Sequence, residues 1–446
     1  MGKYFGTDGF RGEAGVVLTA DHAYRIGRVL GVYYKRMGIS RPRAVIGKDT
    51  RRSSYMLEYA IASGLAASGA DAHILHVITT PGVSYVTASD GFDFGIMISA
   101  SHNPYTDNGI KIVSGRGEKI DDEVIEALES LMDSKEELPY ATGEDIGKIV
   151  DYYAGRNRYI GYLISLSGYS FRELNIGLDA SNGGAWMIAR AVFEALGAKV
   201  RLIGAEPDGL NINLGVGSTH PEALAEIVKN EGLDMGFAFD GDADRCIAID
   251  ERGEIVNGDH ILYILATAMR RRGELAGDTV VTTVMSNLGL YRALDAVGMR
   301  YETTAVGDRF VYENMKKNRY SLGGEQSGHI IISKYATTGD GILTAIKLAE
   351  AVITSKLPMS ELASPVKMLP QVMINLRVKD KKAALGAPEV KEAVKTAEDR
   401  LAGRGRILLR ESGTEPVVRV MVEADTREEC REVAEGIADI IRRNEA

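Results

Sequence analysis

The chain has 446 residues, 45% hydrophobic and 26% charged, which at ~100–200 residues per domain is too long for a single core. Its net charge of −9 excludes a general nucleic-acid-binding surface, which needs a basic excess. No apolar run reaches the ~18 residues of a membrane span, Met1 to Thr7 lacks a signal-peptide core, and two cysteines fit a reducing compartment, so a soluble cytoplasmic protein is expected.

The first segment alternates apolar strands with helical patterns. Thr19 to Met37 reads as a helix with Thr19 as N-cap and Gly38 just past its end. Ala44 to Gly47 reads as a strand, followed by the polar loop Lys48-Asp49-Thr50-Arg51-Arg52-Ser53 and a helix from about Ser54 to Ser68. Ala72 to Leu75 and Phe94 to Ile98 are further short apolar runs of the strand type. Asn103-Pro104 marks a turn after the second of these, because a residue before proline is pushed out of the helical region. Gly109 to Val113 returns as a strand, and Asp122 to Asp133 is helical. This alternation predicts right-handed βαβ units around a mixed or parallel sheet. The plan of strand, polar loop and helix recurs near residues 175 and 279, as expected of one supersecondary unit used three times.

The stretch Ala141 to Gly147 and a helix from Val150 to Ser165 read as a connection between domains. Gly258-Asp259 is expected to cap a long helix ending in Arg270-Arg271-Arg272, where cationic residues favour the helix C-terminus. After Pro358 and Pro365 the pattern changes to a compact α+β domain: strand Pro370 to Val378, helix Pro388 to Leu401, strand Val417 to Glu423 and helix Cys430 to Arg443. The expected division is 1–150, 151–256, 257–366 and 367–446.

Several polar loops carry chemistry. Ser101 and His102 fall on the sharp loop after Phe94 to Ile98, with Lys111 on the returning strand. A serine and an imidazole there either satisfy turn hydrogen bonds or take part in nucleophilic chemistry. Asp240, Asp242 and Asp244 alternate in a loop directly after the apolar run Met235 to Phe239. Three such carboxylates repel one another unless they share a cation, and a hard oxygen-liganded ion such as Mg²⁺ fits. Glu251 stands at the twelfth position of a calcium-loop pattern, but Arg245 replaces the glycine that its sharp turn needs and the flanks read as strands. A phosphoryl group on Ser101 would supply the further oxygen ligand such a site accepts. Arg410, Ser412, Gly413 and Thr414 precede a strand bearing Arg419, a combination suited to gripping phosphate oxygens. Glu325, Ser327 and His329 lie in a glycine-flanked loop suited to hydrogen-bonding sugar hydroxyls.

Thr7 to Gly12, Ser99 to Pro104, Asp240 to Arg245, Gly324 to His329 and Arg410 to Pro416 together resemble, in order, the motifs of the α-D-phosphohexomutases. Asn213 to Pro221, Val284 to Leu290, Val306 to Arg309 and Thr337 to Gly341 are most similar to the bacterial branch acting on glucosamine phosphates. The Gly-His pair typical of the mannose/glucose branch is replaced by Gly307-Asp308. The resemblance implies three related α/β domains with mixed sheets and a smaller α+β C-terminal domain around a central cleft. It also implies an isomerase that interconverts 6- and 1-phosphates through a phosphoserine and a 1,6-bisphosphate intermediate, feeding UDP-N-acetylglucosamine synthesis. In that scheme Ser101 is the phosphorylated serine and binds Mg²⁺ with Asp240, Asp242 and Asp244. Arg11, His102, Lys111 and Arg245 line the reaction site, Lys111 and His102 as proton-transfer groups. Glu325, Ser327 and His329 contact the sugar, and Arg410, Ser412, Gly413, Thr414 and Arg419 hold the non-reacting phosphate. A hexosamine phosphate is the expected partner, with no nucleic acid or membrane, and the family implies a homodimer. The same mechanism on mannose or glucose phosphates, a metal-dependent sugar phosphatase and a non-catalytic sugar-phosphate sensor are the alternatives.

Overall fold

The computed structural model describes residues 2–6, 8–411 and 417–445. Their strands form four sheets. The first sheet holds β1 (Phe10–Glu13), β2 (Arg43–Lys48), β3 (Asp71–Val77), β4 (Phe94–Ile98), β5 (Asp107–Ser114) and β6 (Ile149–Asp151). The second holds β7 (Asn175–Asp179), β8 (Lys199–Ile203), β9 (Met235–Phe239), β10 (Cys246–Ile249) and β11 (Ile255–Val256). The third comprises β12 (Thr279–Thr283), β13 (Arg300–Thr304), β14 (Leu322–Gly324) and β15 (Ile330–Ile332). The last comprises β16 (Gln371–Arg377), β17 (Arg406–Glu411) and β18 (Val417–Glu423), all antiparallel.

The first three sheets share one plan. A central strand (β2, β7 or β12) lies between two parallel partners, β3 and β4, β8 and β9, or β13 and β14. A fourth strand (β5, β10 or β15) then returns antiparallel beside the third. The expected threefold repeat is therefore present in the topology. Strands β4 and β9 are buried at every residue, which accounts for their continuous apolar sequences in place of alternation.

Local reading and structure agree where an element carries its own signals. The helix Ala20–Arg36 begins at the N-cap Thr19, and the helices Asp122–Asp133 and Pro388–Leu401 have the expected limits. Three differences have physical causes. The helix Thr80–Ser89 is buried on most of its faces, so it lacks the one-sided apolar stripe that marks a surface helix. Val150 belongs to β6, which pairs with β3 and extends the first sheet, and the following helix starts at Tyr153. The long helix Gly258–Arg271 is capped by the Asn257 side chain, which accepts from the amides of Asp259 and His260.

The chain divides into two compact units, 1–285 with 300–364, and 286–299 with 365–446. The second unit contains the three-stranded sheet and the helix Leu288–Ala296. The buried Glu423 carboxylate joins them, accepting from the Leu288 amide and pairing with Arg406.

Within the first unit, the buried Tyr159 hydroxyl donates to Asp340 at 2.8 Å, and Asp340 caps the helix Gly341–Ser355. Burial pushes the Asp340 carboxyl up to about 6, against the amides and hydroxyl that bond its ionised form. The folded chain thus holds this proton to a higher pH than the unfolded chain does. Stability from this group is present at low pH and is lost as pH rises from about 4 to about 6, by roughly 3 kcal/mol at most. Asp340→Asn should flatten that part of the stability–pH curve, measured by thermal unfolding between pH 4.5 and 7; an unchanged slope would contradict the assignment.

Candidate active site

The shared topology places three hairpin connections in equivalent positions. The β4–β5 loop carries Ser101 and His102, the β9–β10 loop carries Asp240, Asp242 and Asp244, and the β14–β15 loop carries Glu325, Ser327 and His329. In the first unit these loops meet. The Ser101 hydroxyl donates to Asp240 Oδ2, and His102 Nδ1 lies 3.3 Å from the same hydroxyl. Lys111, paired across from Met97, extends Nζ to Asp242 Oδ2 at 2.6 Å and Asp244 Oδ2 at 3.5 Å. His329 Nδ1 lies 3.7 Å from Asp244 Oδ1. The Gly339 amide donates to the other ring nitrogen at 2.9 Å, so His329 is occupied within the protein and orders its loop.

One oxygen from each of Asp240, Asp242 and Asp244 lies within 4.8 Å of the others, and all three residues are buried. Asp242 Oδ1 and Asp244 Oδ1 have no hydrogen-bond partner. Orphaned buried carboxylate oxygens are costly, and a small divalent cation would satisfy them with the hard oxygen donors it prefers. The residues therefore fit a metal. Burial, then the charges of Asp244 and Asp242, push Asp240 well above the usual carboxylate range. Burial would also raise Asp244, but Lys111 and then His329 outweigh it and hold Asp244 far below that range.

The surrounding bases and cations are sorted by the same field. Burial and the nearby charges of Arg245 and Arg11 push His102 down to about 4, leaving it neutral near pH 7. Burial opposes a charge on Lys111, but Asp242 and Asp244 prevail and keep it protonated. Arg245 donates its amide to Asp240 Oδ1 at 3.1 Å and is likewise held charged, chiefly by Asp240 and Asp244 against its own burial. Arg11 sits on β1, whose partner strand β5 carries Lys111, and its buried Nε has no hydrogen-bond partner. Glu325 accepts from the Gly307 amide at 3.1 Å, while the Ser327 hydroxyl is buried without a partner.

In the second unit, Arg410 and Arg419 face each other in register. Arg410 lies on β17, beyond the loop position its sequence suggested. Burial and the neighbouring Arg419 charge lower its affinity for a proton. Two guanidinium groups so placed favour a shared anion. Ser412, Gly413 and Thr414 lie outside the described residues.

Sequence reading missed several contributors. Thr80 donates to Asp242 Oδ2 at 2.5 Å, and its amide donates to the Asp242 carbonyl. Lys119 bonds Asp308 at 2.6 Å, and Asp308 lies 3.6 Å from His329. Asp49, Arg51 and Asn213 contact the Ser101 loop. The polar run after β2 was a visible signal for Asp49 and Arg51, and Asn213 opens a stretch that carried the family resemblance without a role of its own; nothing local marked Thr80.

Models of the phosphoglucomutase/phosphomannomutase family match four successive segments: α/β/α domain I at 2–139, domain II at 157–253, domain III at 257–368 and the C-terminal domain at 373–440. The chain belongs to this family. Its relatives include proteins named phosphoglucosamine mutase from Lachnospira eligens, 60% identical, and Anoxybacillus flavithermus, 51% identical, each matched over 99% of both chains. A family protein of known structure from Burkholderia thailandensis superposes with a TM-score of 0.83 at 25% identity, covering 99% of this chain and 98% of that one. An Aspergillus fumigatus N-acetylphosphoglucosamine mutase, solved in complex with GlcNAc-6P and magnesium, shares the fold with a TM-score of 0.69 at 18% identity. That match covers 99% of this chain and 96% of the other. Among the described residues, no helix is long and apolar enough to cross a membrane.

If the three carboxylates are built for a cation, they should oppose folding without one. Asp240→Asn should raise the thermal midpoint in chelator and abolish the increase that Mg²⁺ produces in the parent protein. A lower midpoint in chelator would contradict this reading.

Proposed function

We propose that this enzyme interconverts glucosamine 6-phosphate and glucosamine 1-phosphate through a phosphoserine at Ser101 and a 1,6-bisphosphate intermediate. The observation that carries the chemistry is the Ser101 hydroxyl hydrogen-bonded into the Asp240–Asp242–Asp244 cluster. A hydroxyl there becomes, once phosphorylated, an anionic oxygen donor beside three others. The relatives named phosphoglucosamine mutase, matched along the whole chain, support the amino sugar as substrate.

In the first transfer the bond from phosphorus to Ser101 Oγ breaks and a bond to a sugar hydroxyl oxygen forms. His102, neutral near pH 7, is the available acceptor for the hydroxyl proton. Lys111, held protonated, returns a proton to Ser101 Oγ and balances charge together with Arg11 and Arg245. Asp240, Asp242, Asp244 and the phosphoserine would hold Mg²⁺, which when bound would supply positive charge to offset that of the phosphoryl oxygens. The intermediate then turns end over end, and Ser101 recovers the other phosphate by the same steps in reverse. Glu325 and Ser327 offer sugar contacts, and Arg410 and Arg419 offer a grip for the phosphate that does not react. The reading carries with it a cytoplasmic enzyme.

Intact mass after incubation with glucosamine 1,6-bisphosphate should show one phosphate adduct, absent in Ser101→Ala. That variant should lose turnover yet keep substrate affinity. Steady release of inorganic phosphate without sugar 1-phosphate would instead indicate a phosphatase. For the sugar, kcat/KM should be highest on glucosamine 6-phosphate; faster turnover of glucose or mannose 6-phosphate would overturn that part.

A further inference from the structure

Ser101 has φ +51°, a left-handed backbone that serine rarely adopts. Ala243 in the carboxylate loop, and Ser181, Asn182 and Asn213 in the second sheet's loops, are also left-handed. Such strain persists only where the surroundings over-determine it. Around Ser101 they do so through both of its backbone groups.

Its amide donates to Ser99 Oγ at 3.0 Å, and the Ser99 hydroxyl donates to Asp49 Oδ2 at 2.6 Å. Arg51 Nη1 donates to that Asp49 oxygen at 3.1 Å. The Ser101 carbonyl accepts from Arg51 Nη2 at 3.2 Å and from Asn213 Nδ2 at 2.9 Å. The same two donors also reach the Asn103 carbonyl, at 2.6 and 3.1 Å. Arg51 Nε donates to the Asp107 carbonyl at 2.9 Å. A fully buried guanidinium thus turns Nε and Nη2 onto the Ser101 loop while Nη1 is held by Asp49, a geometry that a lysine ammonium does not reproduce. A buried ion pair such as Asp49–Arg51 is in general weak support for stability, which leaves loop geometry as its evident product. Gly241 completes the seat: a Cβ there would stand 2.4 Å from the Ser101 carbonyl oxygen.

We propose that Arg51 and Asn213 are positioning residues for phosphoryl transfer, which grip the Ser101 and Asn103 carbonyls from loops belonging to the first and second sheets and fix where Ser101 Oγ presents its phosphate. Neither touches the reacting atoms. Both act through the backbone of the loop. The inference rests on the phosphoserine reading, and its test separates the two.

Parent enzyme, Arg51→Lys and Asn213→Gly are loaded with glucosamine 1,6-bisphosphate, phosphoserine occupancy is read by intact mass, and kcat is expressed per phosphoserine. Glycine is chosen at 213 because its φ of +60° suits it. Misplacement of a reacting atom by about 1 Å costs about 100-fold in rate, so Arg51→Lys should lose about that in kcat with KM within about threefold. Asn213→Gly should show the same split with a smaller loss, about 10-fold. Parental kcat per phosphoserine in a folded variant, or a change confined to KM, overturns the proposal. Should Arg51→Lys not fold, Asn213→Gly decides alone. No phosphate adduct on the parent enzyme overturns the phosphoserine reading, and this inference falls with it.

Discussion

Three buried carboxylates within 4.8 Å of one another cannot all be ionised in a protein interior without compensation. The compensation comes from other parts of the chain. Lys111 reaches in from the first sheet, Thr80 donates from the start of a helix beside it, and His329 approaches from the third. None of these is near Asp242 in sequence. The charge problem in one loop therefore constrains how the first three sheets pack, and two carboxylate oxygens still lack a hydrogen bond. A chain selected for stability alone would not leave them so.

One hairpin connection, used three times, supplies the site. After the third strand of each repeat the backbone turns and returns antiparallel. In the first repeat that turn holds a hydroxyl, in the second carboxylates, in the third a carboxylate, a hydroxyl and an imidazole. Division of labour among equivalent loops explains why no single stretch of sequence contains the chemistry. Protonation is then assigned by two opposing influences: burial and the Arg245 and Arg11 charges strip His102 of its proton, while the carboxylates keep Lys111 protonated. A neutral imidazole and a charged ammonium thereby stand on a turn and the strand that follows it.

Much of this was legible in the chain. Buried strands announced themselves as apolar runs, and the loops after them stood out because carboxylates or hydroxyls followed directly on apolar segments. The capped helix at Ala20–Arg36 carried its own punctuation. The helix Thr80–Ser89 did not, because burial on most faces removes the periodicity that sequence reading depends on. Arg410 was grouped with the polar residues and Gly413 that follow it, although the strand β17 runs on through Glu411.

Residue types and their order determined the kinds of chemistry available: a hydroxyl able to carry phosphate, an oxygen cage for a cation, paired arginines for an anion. They also determined the repeated strand–loop–helix plan, because periodicity and turn signals act over a few residues. The tertiary structure decided which groups are charged and which backbone carbonyls are held. Arg51 and Asn213 lie 162 positions apart, yet share the Ser101 carbonyl. His102 owes its neutrality to its own burial and to the Arg245 and Arg11 charges, and Lys111 owes its charge to Asp242 and Asp244, all far along the chain. Burial and through-space charge arise only when distant segments meet, so composition and local pattern do not encode them.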